Sequence, residues 1–233
     1  MSTYVLVHGA WHTGAELEPV AAHIRSAGHI VHLPTIRGNR PGDPKTTGLD
    51  EAIQSICDYF TEQDITDAIL MGHSYGGMVI TQAGENPKVK SLAYLAAFAP
   101  DTGESAASLN AWPAEPGEAK APLLPPESGY LLVDPAKFPT SFAADSPVAL
   151  TEFMAVAQVP WGLQAVEAKV TKVGWKAKPS VFLIPSNDRM ITPSSQRKMA
   201  KRSGARVEEI SSSHAVMLSH PREVAAFIES ADR

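Results

Sequence analysis

Asp67-Ala68-Ile69-Leu70-Met71-Gly72-His73-Ser74-Tyr75-Gly76-Gly77-Met78-Val79-Ile80-Thr81-Gln82-Ala83-Gly84 changes character in its middle. Ala68 to Met71 is an apolar run of strand length, while Met78, Val79 and Ala83 recur at helical spacing. Between them Gly72-His73-Ser74-Tyr75-Gly76 reads as G-x-S-x-G, a sharp turn from strand into helix. Such a turn strains the serine backbone, and side chains two residues to either side would collide, hence the glycines. Gly77 lets the new helix lie close to neighbouring strands. The pattern predicts a Ser74 hydroxyl held beyond the carboxyl end of a sheet, above helix N–H groups that favour developing negative charge. Alone it is weak: with glycine at about 7% and serine similar, roughly a tenth of chains this long would carry it by chance. Its flanks and its partners downstream give it weight.

Upstream of this turn, Tyr4 to Val7 is a short β-branched and aromatic run that stops at His8-Gly9-Ala10-Trp11-His12. Glu16 to Ala27 follows with Leu17, Val20, Ala21 and Ile24 on one face, closed by Gly28. His29 to Leu33 is a second strand ended by Pro34. Thr35 to Gly48, rich in Gly, Pro and Thr, is expected to run over the surface. Asp50 is expected to cap a helix whose buried stripe is Ile53, Ile56, Cys57 and Phe60. Beyond the elbow helix, Ser91 to Phe98 is the fourth strand. Strand and helix alternate throughout, which predicts a parallel sheet wrapped by crossover helices.

The alternation lapses after Pro100 and returns near Ser180. Pro147 opens a helical pattern carrying Leu150, Phe153, Met154 and Ala157. A second short helical pattern covers Leu163 to Val170. An interruption this long inside a compact domain predicts a lid, and its Trp112, Trp161, Trp175, Phe138, Phe142 and Phe153 oppose disorder. The expected division is therefore a core of residues 1–100 and 176–233 with a helical cap at 101–175. Ser180 to Ile184 is then a strand ending in Pro185-Ser186-Asn187-Asp188. A helix over Ser194 to Arg202, a strand over Arg206 to Ile210, the loop to His214 and a helix over Pro221 to Ser230 complete the order.

Composition narrows the function classes. The 233 residues are 44% hydrophobic and 19% charged, enough for one domain with a sizeable core. A formal net charge of −5 gives no electrostatic reason to expect nucleic acid or an acidic membrane as partner. One cysteine, Cys57, excludes an internal disulfide framework and fits a reducing compartment. With no basic leader and no long apolar segment in the sequence, the expectation is a cytoplasmic protein acting on small molecules. A homodimer is left open.

Ser74, Asp188 and His214 follow one another in the order nucleophile, acid, base, each just past a strand end, the edge where parallel sheets assemble sites. Serine is a poor nucleophile at neutral pH, so His214 must take its proton as it attacks a carbonyl, and Asp188 fixes the imidazole tautomer. Asp101, just past the fourth strand, is a competing acid. Asp188 is preferred because small polar residues before it can turn it toward the histidine loop. His220 competes with His214 but sits where the closing helix should begin. The remaining histidines show no metal-ligand spacing, and no metal or cofactor is expected. The oxyanion donors are assigned to the backbone N–H of Tyr75 and of Ala10. His8 reads as a hydrogen-bonder that holds the Ala10 loop.

Leu6-Val7-His8-Gly9-Ala10-Trp11, Gly72-His73-Ser74-Tyr75-Gly76-Gly77 and Ser213-His214-Ala215-Val216-Met217-Leu218 together resemble the α/β-hydrolases. Within them the chain resembles the small group of bacterial carboxylesterases, plant methylesterases and hydroxynitrile lyases. The resemblance implies a mostly parallel six-stranded sheet with helices on both faces, the family's first hairpin being missing. It implies an esterase-like serine hydrolase with an acyl-enzyme intermediate and an ester-like small-molecule substrate. The lyases of the group use a threonine where this chain has Gly9 and a lysine where it has Ala215, so the resemblance favours hydrolysis. Carbamate, amide or lactone hydrolysis would use the same residues. A cofactor-free lyase and a non-catalytic binding module are rivals on the same fold. Trp11, Tyr75, Phe98, Trp112, Phe153, Met154, Trp161 and Met190 are candidates to line an apolar pocket suited to a small or medium acyl group or an aromatic ester.

Overall fold

The computed structural model describes residues 1–44 and 46–232. Lys45, within the expected surface excursion, and Arg233 lie outside the described residues. Six strands form one parallel sheet: β1 (Thr3–Val7), β2 (Ile30–His32), β3 (Ala68–His73), β4 (Val89–Leu95), β7 (Ser180–Pro185) and β8 (Arg206–Ile210). Their spatial order is β2-β1-β3-β4-β7-β8. The interior strands explain their own composition: every residue of β3 is buried, as expected where helices cover both faces. Edge strand β8, Arg-Val-Glu-Glu-Ile, is mostly exposed, and its charges guard an open edge.

Chain direction sets which face each helix takes. From β1 the chain crosses through α1 (Glu18–Ser26) to β2 on one side, then returns through α2 (Leu49–Glu62) to β3 on the other. Right-handed crossovers in opposite directions place α1 and α2 on opposite faces. Accordingly α1 packs on the closing helix (Pro221–Glu229), and α2 packs on α3 (Gly76–Ala83). The reversal falls between β1 and β3, the crevice where open sheets bind ligands.

Several boundaries differ from expectation for local reasons. Helix α2 is capped by Gly48, whose N–H donates to the Glu51 carboxylate at 2.9 Å, so Asp50 lies within the first turn and is not the cap. Strand β4 stops at Leu95 because Ala96 takes a positive φ of 47°. The Thr35–Gly48 stretch is not all surface: Ile36 is fully buried, and Asn39 Nδ2 donates to the His12 carbonyl at 2.6 Å.

Between β4 and β7 lie α4 (Ala106–Asn110), α5 (Phe138–Ser141), α6 (Val148–Val156) and α7 (Leu163–Glu167). An antiparallel pair not foreseen in the sequence, β5 (Tyr130–Leu131) with β6 (Trp161–Gly162), joins them. This segment is tied to the loop after β1, where Trp11 Nε1 donates to the Leu131 carbonyl at 2.9 Å and Val159 N to the Trp11 carbonyl at 2.6 Å. Among the described residues no helix is long and apolar enough to cross a membrane.

Candidate active site

The sharp turn after β3 has the geometry its glycines imply. Ser74 sits at a φ of +53°. A Cβ on Gly72 would lie 2.6 Å from the Gly76 backbone, and one on Gly76 would lie 2.6 Å from the carbonyls of Val7 and His8. The turn also touches the loop after β1: a Cβ on Gly9 would come within 2.9 Å of the Ser74 Cβ. That loop is fixed by His8, whose Nε2 accepts from Ile36 N at 3.1 Å and whose Nδ1 donates to the Gly9 carbonyl at 2.7 Å. Accepting at Nε2 requires the neutral Nδ1–H tautomer, and burial pushes this imidazole down to about 4.

The structure brings Asp188 to His214. Oδ2 of Asp188 lies 2.8 Å from His214 Nδ1, with both side chains fully buried. The same oxygen accepts from Gln196 Nε2 at 2.7 Å, and Oδ1 accepts from Met190 N and Ile191 N at 2.8 and 3.1 Å. A carboxylate held by this many donors cannot rotate, so the imidazole it accepts from is fixed too. Burial lowers the His214 pKa, and the Asp188 charge partly opposes that. His214 Nε2 is buried with no hydrogen-bond partner among the described residues. The imidazole is packed between His73 and Phe142, each with ring centroids 4.8 Å away.

Asp101 is elsewhere. It pairs with Lys176 at 2.5 Å on the surface, and that ammonium beside it lowers its carboxyl. His220 bonds its neighbour Ser219 through Nδ1 at 2.9 Å. The backbone amides of Ala10 and Tyr75 donate no hydrogen bond among the described residues.

Ser74, only 4% exposed, forms part of the wall of a largely apolar cavity of about 50 Å³. Trp11, Phe98, Trp161 and Met190 line it as the sequence suggested. Four candidates do not. Phe153 is 65% exposed on the outer side of α6. Its neighbour Met154 is buried but lines a separate groove with His12, to whose ring its carbonyl is bonded at 3.3 Å. Trp112 packs under the Arg202 guanidinium, 5.5 Å from its ring. Tyr75 likewise lines a neighbouring groove and not this cavity.

Lining residues the sequence reading missed include Ala106, Leu123, Leu131, Val166 and Ile191. Small and isolated apolar residues carry no periodic signal that could have found them. Glu16 was missed as well, though it precedes Val20 by one helical repeat, and a carboxylate on an apolar stripe signals a buried partner. Among the described residues no group of three or more His, Cys, Asp or Glu is placed to hold a metal ion.

The segment after β4 also grips the histidine loop. Asp145 accepts from both the backbone N and the hydroxyl of Ser213, and the Phe142 carbonyl accepts from Ala215 N at 2.9 Å. His214 is thus clamped on both sides.

Comparison with known proteins gives a consistent picture. Residues 4–227 match the model of the alpha/beta hydrolase family. A carbendazim hydrolyzing esterase from a Nocardioides species is 42% identical over 116 residues, 47% of each chain. A pyrethroid hydrolase from Sphingobium wenxiniae is 31% identical over 98 residues, 40% of this chain and 35% of the relative. The chain's match thus spans less than half the length of both relatives. Among solved structures, an extracellular α/β-hydrolase from a Paenibacillus species superposes with a TM-score of 0.84 at 22% identity, covering 100% of both chains. At that identity the likeness shows the fold.

Proposed function

The chain belongs to the alpha/beta hydrolase family, and on that premise we propose that it is a serine hydrolase cleaving a small or medium carboxylic ester. The observation that carries this reading is the buried Asp188–His214 couple at 2.8 Å, whose free Nε2 has no hydrogen-bond partner among the described residues. Ser74 forms part of the wall of an apolar cavity.

In this reading Asp188 holds the proton on Nδ1, which leaves the Nε2 lone pair to act as base. Among the described residues no hydrogen bond joins Ser74 to His214; in this reading that bond forms when substrate is bound, as in other sites whose catalytic hydrogen bonds are long when empty. Ser74 Oγ attacks the ester carbonyl as Nε2 takes its proton. The carbonyl oxygen becomes an oxyanion between the amides of Ala10 and Tyr75, each worth roughly 3 kcal/mol in comparable sites. Collapse expels the alcohol, protonated by His214, and leaves an acyl group on Ser74. Water activated by the same Nε2 then attacks that acyl group and regenerates the serine.

The cavity at Ser74, about 50 Å³, is far smaller than the roughly 300–1,000 Å³ of ordinary ligand pockets. It suits one small apolar group, so the other half of the substrate must lie outside it. The 101–175 segment, read as a cap over the core, supplies most of the lining. The relatives named as a carbendazim hydrolyzing esterase and a pyrethroid hydrolase support hydrolysis of ester-like bonds, the carbamate of carbendazim among them.

The test is a panel of activated esters, carbamates and lactones, with carbendazim included, assayed on wild type and Ser74→Ala. The reading expects ester turnover that Ser74→Ala abolishes. Turnover of carbamates or lactones alone would move the substrate class while keeping the residues. No turnover of any activated ester, carbamate or lactone would favour a binding module.

A further inference from the structure

Glu16 has no part in the reaction as written, yet it sits among the groups that perform it. It belongs to a single 3-10 turn, Gly14–Leu17, and its side chain is 2% exposed. Its Oε1 accepts from Gly9 N at 3.1 Å and from His73 Nδ1 at 3.1 Å. Gly9 precedes the Ala10 amide, and His73 precedes Ser74. His73 also reaches the histidine loop, its Nε2 lying 3.2 Å from the His214 carbonyl; donating to that oxygen and to Glu16 at once takes the ring protonated at both nitrogens. The second carboxylate oxygen, Oε2, lies 3.3 Å from His12 Nδ1, an ion-pair contact without hydrogen-bond geometry.

We propose that Glu16 is a positioning residue for the hydrolytic site: one carboxylate that locks the oxyanion loop, the nucleophile turn and, through His73, the histidine loop into a single arrangement. The proposal rests on the serine hydrolase reading above. Three segments at the ends of three different strands converge here, joined through this one carboxylate and His73. The Gly9 bond fixes the peptide next to the oxyanion donor. The His73 bonds fix the residue before the nucleophile and the backbone of the base.

Stability alone does not account for a carboxylate in this place. Burying one costs several kcal/mol before its partners offset it, and an apolar side chain of similar volume often serves folding as well or better. Burial pushes the Glu16 carboxyl up, but the neighbouring His12 and His73 outweigh that and hold it well below the usual range. It is therefore ionised throughout the working pH range, and a charged acceptor makes shorter and stronger bonds than a neutral one. Misplacement of a reacting group by about 1 Å can cost roughly a hundredfold in rate, which is the scale on which such a lock acts.

Three single variants and one double variant test this with 4-nitrophenyl acetate as substrate and a serine-directed phosphonate as label. Glu16→Gln keeps the shape and removes the charge, and Glu16→Leu removes both bonds. The expected result is a folded Glu16→Gln with kcat lowered about tenfold and KM within about twofold, and Glu16→Leu lowered about a hundredfold. Phosphonate labelling of Ser74 slows in step with kcat. His73→Gln breaks the same lock from its other side, so the Glu16→Gln/His73→Gln double variant loses little more than either single one.

Wild-type kcat in Glu16→Gln, a change confined to KM, or fully additive losses in the double variant would overturn the proposal. So would loss of near-UV circular dichroism in all the variants, which would make Glu16 a folding determinant only. Failure of the hydrolase reading shows separately, as wild-type turnover by Ser74→Ala whatever the Glu16 variants do.

Discussion

His214 Nδ1 lies 2.8 Å from Asp188 Oδ2, and neither side chain has any solvent exposure. Asp101, the other acid past a strand end, is instead on the surface with Lys176. Asp188→Asn can still fill the space but presents an amide where the imidazole needs an acceptor, which selects the wrong tautomer. Its kcat should fall by roughly a thousandfold or more. Asp101→Asn should change kcat/KM no more than a few-fold. Steady-state kinetics on the two variants check this, and the reverse ordering would move the acid to Asp101.

The pH profile should carry the mark of burial. His214 acts as base only when neutral, and desolvation lowers its pKa against the opposing charge of Asp188. The acid limb of kcat/KM should therefore have its midpoint below the ordinary histidine value of about 6.5. Activity then persists to lower pH than an exposed histidine would permit. A midpoint above that value, or a flat profile from pH 5 to 9, would remove His214 from the role.

Trp161 separates two spaces. It lines the cavity of about 50 Å³ at Ser74 and also a groove of about 350 Å³ that includes Tyr75 and Arg37. Its ring lies 5.4 Å from Trp11 and 5.0 Å from Tyr75 between centroids, and its indole nitrogen is buried without a partner among the described residues. Trp161→Ala should join the two spaces and shift preference from short acyl esters toward bulky ones, by about tenfold or more in the ratio of kcat/KM values. Unchanged selectivity across an acyl-length series would show that Trp161 is not the wall. Lost packing around Trp161 should lower the melting temperature as well, since removing a buried aromatic typically costs about 3–5 kcal/mol.

What was legible in the sequence follows the strength of local signals. The elbow could be read because the tight turn leaves room only for glycine at Gly72 and Gly76. The interior strands were legible because strands covered on both faces are almost wholly apolar, as in β3. Asp188 could be preferred over Asp101 from loop composition, and the two are indeed placed far apart in environment. The 101–175 segment was poorly legible. Strands β5 and β6 are two residues each, too short for any period to show. On α6, Phe153 and Met154 were both pocket candidates, but Val148, Phe153 and Val156 are exposed while Thr151, Met154 and Ala155 are buried. A helix apolar on most sides does not announce which side it buries. Glu16 was overlooked because its partners, Gly9 and His73, come from a backbone amide and a residue 57 positions away.

The central claim is that Ser74 becomes acylated during turnover. The most direct measurement is intact-protein mass spectrometry of enzyme rapidly quenched in acid during turnover of 4-nitrophenyl acetate, followed by peptide mapping. The account predicts a single added acetyl group on the peptide containing Ser74, absent in Ser74→Ala and accumulating in His214→Asn only at a greatly reduced rate. Undiminished turnover with no adduct on Ser74, or an adduct that forms equally in Ser74→Ala, would contradict it.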